Sequence, residues 1–166
     1  MSGGRAYSAT MAKDLVRVEI DGVNYALEVG RIREIVNPLP LIELPRERVF
    51  VLGVSDYRQE VLPVVDLRRF FGLTPIEPSR RTKWIVIEAG GRLVGVVVDA
   101  VLDVFSSAGD QQRPVPVLDE RHRERGITSA YRHQESLVFL LDADRLAEPA
   151  MRIPPRELSE LPSEAP

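Results

Sequence analysis

The chain predicts an all-β fold built as small barrels or a sandwich. Apolar and polar residues alternate with a period of two from Val16 to Val29, and short apolar runs recur between Gly, Pro and Asp punctuation. Helical spacing never persists long enough to suggest more than short helical turns.

Each element follows from local chemistry. Val16, Val18 and Ile20 alternate with Arg17, Glu19 and Asp21, which predicts a strand with one wet face. Asp21-Gly22 supplies a hairpin turn, and Val23, Tyr25, Leu27 and Val29 alternate again on the return. Ile32, Ile35 and Val36 are too few for a helix, so an irregular strand or a single turn is expected before Asn37-Pro38. Leu39 to Leu44 reads as a short strand bounded by prolines. Asp56 to Glu60 reads as an exposed connection between strands, which holds Arg58 at a rigid corner. Val61, Leu62, Val64 and Val65 form a buried strand, and Pro63, lacking a ladder donor, predicts an edge position or a bulge. Asp66 stands as an N-cap before Leu67 to Phe71, and Gly72 stops that turn.

Trp84 to Glu88 and Leu93 to Val98 make a second hairpin around Gly90-Gly91, extended by Val101 to Phe105. Trp84, the lone tryptophan, reads as core. Asp110 to His133 is polar and arginine-rich, contains Pro114 and Pro116, and reads as a long connection. Leu137 to Leu141 is the last strand, and Asp142 caps a small C-terminal helix through Leu146. A short echo, Val64-Val65-Asp66 against Val97-Val98-Asp99, is compatible with two similar lobes.

At 166 residues the chain is one domain, or two small lobes sharing a core. Residues 1–12 read as a flexible tail, 13–148 as the folded unit, and 149–166, with five prolines, as a second flexible tail. The absence of cysteine excludes disulfides, thiol catalysis and thiolate metal sites, and permits a reducing cytoplasm. The N-terminal residues lack the apolar core of a signal peptide or membrane span, so no membrane insertion is expected. A net charge of −3 without a basic stripe argues against nucleic acid as partner.

Catalytic constellations are missing from the pattern. His122 and His133 lie in hydrophilic surroundings without a partner at metal-ligand spacing, and read as solvated surface residues. Asp66 and Asp99 each follow an apolar strand where a cap or turn wants aspartate, which outweighs an acid-pair reading. Gly3-Gly4 and Gly90-Gly91 open no helix and cradle no phosphate, and no GxSxG elbow occurs. The expectation is a binding protein without catalytic residues, metal or cofactor. Arg58 keeps two readings: a guanidinium fixing loops, or an exposed fork pairing with a partner's acidic or amide group.

Three blocks carry a family resemblance. Gly53-Val54, Arg58-Gln59 and Leu62-Pro63-Val64-Val65-Asp66-Leu67-Arg68 follow Tyr25 to Ile35 (YALEVGRIREI) and precede Gly95 to Val104 (GVVVDAVLDV). In this order, over about Asp14 to Leu146, the chain resembles the CheW family of chemotaxis adaptors. The resemblance implies two intertwined five-stranded SH3-like β-barrels with short helical turns and a small C-terminal helix. It implies two partners, the regulatory domain of a CheA-type histidine kinase and the cytoplasmic tip of a methyl-accepting chemoreceptor. It implies a cytoplasmic protein recruited to membrane receptor arrays. Matching positions give a receptor-facing set of Ile32, Glu34, Gly53, Arg58 and Gln59; kinase-facing residues are not assigned.

The chain departs from the family pattern at that corner. Gln59 stands where glycine usually follows the arginine, and Asp56-Tyr57 stand where asparagine-leucine is common. Glutamine restricts positive φ and blocks close backbone approach, so a shifted docking geometry is expected. The alternatives are a detached kinase regulatory domain, a CheV-like coupling protein, a CheW-like module that binds kinase without a standard receptor in a motility, pilus or regulatory pathway, and a small all-β enzyme or ligand carrier.

Overall fold

The computed structural model describes residues 13–107, 112–113 and 120–159. The expected tail at 1–12, residues 160–166 of the expected tail at 149–166, and Pro114 and Pro116 lie outside the described residues.

Eleven strands occur among the described residues, in two sheets. One sheet holds β8 (Ala100–Ser106), β1 (Asp14–Ile20), β2 (Val23–Glu28), β11 (Ser136–Leu141), β10 (Ile127–His133) and the two-residue β9 (Gln112–Arg113), in that order. The other runs β3 (Ile32–Val36), β6 (Lys83–Ala89), β7 (Arg92–Val98), β5 (Glu60–Asp66), β4 (Val51–Tyr57). The second sheet is therefore inserted between β2 and β8 of the first, and the lobes are intertwined. Among the described residues four α-helices punctuate the strands, α1 (Leu67–Phe70), α2 (Glu120–Glu124), α3 (Ala143–Met151) and α4 (Pro155–Ser159), besides a 3-10 turn at Val29–Arg31.

The apolar runs without alternation are explained by burial on two sides. Ile85 and Ile87 of β6 face a core shared with Val16, Val18, Tyr25 and Leu27 of the first sheet, while Trp84 and Val86 face Tyr57, Leu62 and Val64 inside the second. Trp84 is thus core, as expected. A separate cluster of Leu15, Ala26, Phe105, Tyr131 and Val138 fills the first lobe. Its ends are drawn together by Phe105 of β8, whose ring stacks on His133 of β10 at 4.2 Å between centroids.

A polar cluster around Asp99 staples the lobes. Asp99, just after β7, accepts the Asp21 backbone N–H at 2.8 Å and the Arg68 guanidinium at 2.8–3.2 Å. This joins the β1–β2 turn of one sheet to α1 of the other. Asp66 caps α1 by accepting the Arg68 N–H at 3.1 Å, as the sequence predicts. Asp99 does not cap; it holds Arg68.

Several expectations are corrected. β5 lies inside its sheet rather than at an edge. Pro63 is tolerated because it pairs with Val54, whose own N–H and C=O go to Ile42, and because pairing with β7 starts only at Val64. Leu39 to Leu44 makes a single bridge, Ile42 to Val54, rather than a strand, and its prolines withhold ladder donors. Within Asp110 to His133 the connection gives way to α2 and to the full strand β10, whose alternation is broken by a bulge between Ile127 and Ser129. The echoed Val64-Val65-Asp66 and Val97-Val98-Asp99 fall at the ends of β5 and β7 of one sheet, with Asp99 just past β7, and mark no lobe repeat.

The folded unit also runs past 148. Helix α3 continues to Met151, α4 follows, and Ile153 and Leu158 are buried against Val51 and Val54 of β4. Arg92 donates to the Met151 and Ile153 carbonyls at 3.4 and 3.1 Å, tying this segment to β7.

Candidate functional site

The site is a corner where the two outermost strands of the second sheet meet. β4 and β5 are joined by a two-residue hairpin, Tyr57 opposite Glu60, with φ of +48° at Arg58 and +68° at Gln59. Positive φ at both central residues is the type I′ geometry that matches strand twist. The expectation that Gln59 restricts positive φ is corrected: the turn keeps the left-handed conformation and bears the strain.

β3 presents Glu34 to this hairpin after a register shift between Ile32 and Glu34. Arg58 Nε and Nη2 donate to Glu34 Oε1 and Oε2, each at 2.9 Å, and the Tyr57 hydroxyl donates to Oε1 as well. The Arg58 guanidinium lies 5.6 Å from the Tyr57 ring centre, a cation–π contact. Edge strand β3 and the end of edge strand β4 are therefore held together by side chains.

The electrostatics follow from these bonds. The Arg58 guanidinium first, and the Tyr57 hydroxyl second, hold the Glu34 carboxyl down at about 2. Burial, reinforced by Glu34, raises the Tyr57 hydroxyl, so it remains a protonated donor. Arg58 is raised by its bond to Glu34 and stays charged. Its side chain is 68% exposed, so the fork meets solvent while being fixed from behind.

The other expected site residues divide. Gln59 sits beside Arg58 in the turn, so the structure brings Glu34, Arg58 and Gln59 together. Ile32 is half-buried and packs on the shared core. Gly53 lies along β4, roughly 13 Å from the turn at ~3.3 Å per residue. A Cβ there would stand 2.6 Å from the Ile42 carbonyl oxygen, with φ at +154°, so glycine is required for strap and strand to approach. Tyr57, read as part of an exposed connection, is buried at the end of β4. Its period-two spacing from Gly53 and Ser55 was the signal that it pointed inward.

Outside this corner the chemistry is structural. His133 is not a solvated surface residue: it stacks on Phe105, with Nε2 3.6 Å from Asp103, which Arg17 grips at 2.8 and 2.9 Å. His122 is half-buried, 6.0 Å from the Phe139 ring centre. Burial raises the Asp66 carboxyl, whereas at Asp99 burial is outweighed by Arg68 and the Asp21 N–H, which lower it. Among the described residues no group of three His, Cys, Asp or Glu could hold a metal ion.

The CheW-like domain family matches residues 14–150. The chain belongs to the CheW-like family. It is 28% identical over 130 residues to the chemotaxis protein CheW of Rhizobium meliloti, covering 76% of this chain and 84% of that protein. It is 34% identical over 112 residues to protein FrzA of Myxococcus xanthus, covering 66% and 69%. Among solved structures, the scaffolding protein TtCheW from Thermoanaerobacter tengcongensis superposes with a TM-score of 0.73 at 22% identity, covering 82% of this chain and 88% of that one. That likeness shows that the chain has the fold of the matched CheW structure, mostly β in two sheets and consistent with SH3-like lobes. CheW-like chains are scaffold and adaptor proteins rather than enzymes, and this one is a non-enzymatic adaptor. No helix among the described residues is long and apolar enough to cross a membrane.

Proposed function

We propose that this CheW-like adaptor couples a chemoreceptor to a CheA-type histidine kinase, holding the kinase regulatory domain on one face and the receptor's cytoplasmic tip at the Arg58 corner. The observation that carries the reading is an arginine fixed on one side by Glu34 and Tyr57 and exposed on the other. A preorganised fork loses little entropy when it meets a partner's oxygen atoms. In this reading Arg58 and Gln59 touch the receptor, Ile32 flanks them, and Glu34 and Gly53 shape the surface. The protein works in the cytoplasm, recruited to receptor arrays at the membrane, and needs no cofactor.

Signal passes because receptor conformations bind the adaptor–kinase unit with different free energies, the only way a ligand shifts an equilibrium. Individual contacts gain strength from repetition in an array. A second reading, kinase binding without a standard receptor in a motility, pilus or regulatory pathway, is favoured by one observation: a glutamine side chain, not a glycine, occupies the tip of the turn.

The test is titration calorimetry of Arg58→Ala against a receptor cytoplasmic fragment and a kinase regulatory domain from the same genome. Receptor affinity should fall about tenfold or more while kinase affinity holds, as expected for loss of a charge-assisted contact. Unchanged receptor affinity overturns the receptor reading. Native protein that binds the kinase alone supports the second.

A further inference from the structure

A guanidinium has two hydrogen-bonding faces, and at this corner they are divided between the protein and its surroundings. The side-on face, Nε and Nη2, is consumed by the two oxygens of Glu34. The end-on face, Nη1 together with the second proton of Nη2, makes no hydrogen bond to any described residue and points from a side chain that is 68% exposed. That face is a parallel pair of donors matched to a carboxylate.

What decides which face is offered is the position of Glu34, and Tyr57 controls that position. Glu34 Oε1 accepts two bonds, from Arg58 Nε and the Tyr57 hydroxyl. Tyr57 is 4% exposed, its ring packed with Leu62, Val64, Trp84 and Val86, so its hydroxyl is anchored from the barrel core. An exposed ion pair alone would exchange among several geometries, because two long side chains hold one arrangement only at an entropic cost. A third bond from a buried ring removes that freedom.

We propose that Tyr57 is the positioning residue of this corner: it pins Glu34 against the side-on face of Arg58 and leaves the end-on face of Arg58 to recognise an acidic side chain. The proposal rests on the receptor reading for the identity of the partner but not for the geometry. It has a consequence for specificity. With three of its roughly four acceptor positions filled by Arg58 and Tyr57, Glu34 is a poor acceptor for a basic partner residue, which would meet Arg58 as a like charge.

Two arms test it. In the protein alone, Tyr57→Phe keeps the ring and removes the hydroxyl. NMR should show the Glu34 carboxyl titrating above its native midpoint of about 2 and the Arg58 Nε–H exchanging faster with water. A purely structural tyrosine would move neither, and both unchanged would overturn the proposal. In binding, the same variant should hold a receptor cytoplasmic fragment roughly three- to tenfold more weakly, the usual scale of one lost bond to a charged group, with kinase affinity unchanged. Tyr57→Leu, lacking the ring beneath the guanidinium as well, should be weaker still. If Arg58→Ala abolishes receptor binding while Tyr57→Phe leaves it intact, the positioning role falls and the receptor reading stands. If Arg58→Ala changes nothing, the receptor reading falls and the NMR arm alone decides the role of Tyr57.

Discussion

Arg58 and Glu34, 24 residues apart, share two parallel hydrogen bonds of 2.9 Å across the two edge strands of one sheet. The pair ties the turn after β4 to β3, the two edge strands having no backbone ladder between them. The same contact fixes the exposed guanidinium from behind.

A pH dependence follows from that pair. Glu34 titrates near 2 in the folded protein, against about 4.3 for an unperturbed glutamate. A depressed carboxyl contributes stability fully above its unfolded value and loses it as pH falls through the folded one. Denaturant midpoints of native protein and Glu34→Gln, measured from pH 7 to pH 2, should be separated above about pH 5 and converge toward pH 2. Asp103, lowered chiefly by Arg17, adds to the same acid limb in both proteins. Asp66, raised by burial, opposes it, because its protonation favours the folded state.

Gln59 holds a left-handed φ of +68° that costs an L-residue roughly 1–2 kcal/mol, from which glycine's own flexibility subtracts about 0.5–1. Gln59→Gly should therefore stabilise the protein by about 0.5–1 kcal/mol, read as a higher urea midpoint at unchanged slope. A lower midpoint would mean that the glutamine side chain makes a contact worth more than the strain.

Arg68 and Asp99 are both largely buried, with side chains 14% and 18% exposed, and they bind the two lobes to each other. Arg68→Ala leaves Asp99 with the Asp21 N–H alone, and should cost about 3 kcal/mol by the usual penalty for breaking a buried pair. Arg68→Lys should recover less than half of this, since an ammonium cannot bridge two carboxylate oxygens and the Thr74 carbonyl in one plane. Thermal unfolding of the three proteins checks the order.

Ile153 is fully buried beyond the expected domain boundary. Ile153→Ala should destabilise the fold by about 2–4 kcal/mol, and truncation after Glu148 by at least as much, in denaturant titrations. A truncated chain as stable as the full one would restore 148 as the end of the folded unit.

Much of this architecture is legible residue by residue. Asp21-Gly22 and Gly90-Gly91 mark their hairpins because both turns need positive φ, and both have it. Asp66 and Asp142 cap their helices as read, by accepting the backbone N–H two residues on. The errors share a cause. Tyr57, Pro63, Tyr131 and Ile153 were misplaced because each is defined by a neighbour distant in the chain: Glu34, Val54, Phe105 and Val51. The helical stripe Ala143, Leu146, Ala147, Ala150 was readable at i, i+3, i+4, i+7, but Pro149 concealed it.

By itself the sequence determined the β class, the hairpins and caps, the absence of thiol and metal-motif chemistry, and the resemblance that drew attention to Glu34 and Arg58. These depend on local propensity and on spacing, which the linear chain carries. Only the tertiary structure decided that Arg58 reaches Glu34 rather than solvent alone, that Tyr57 anchors both from the core, and that Asp99 staples the lobes. A hydrogen bond needs its partners within about 3 Å. Which two carboxylates meet which two guanidiniums is settled by the curl of the sheets, and no residue's own spacing encodes that curl.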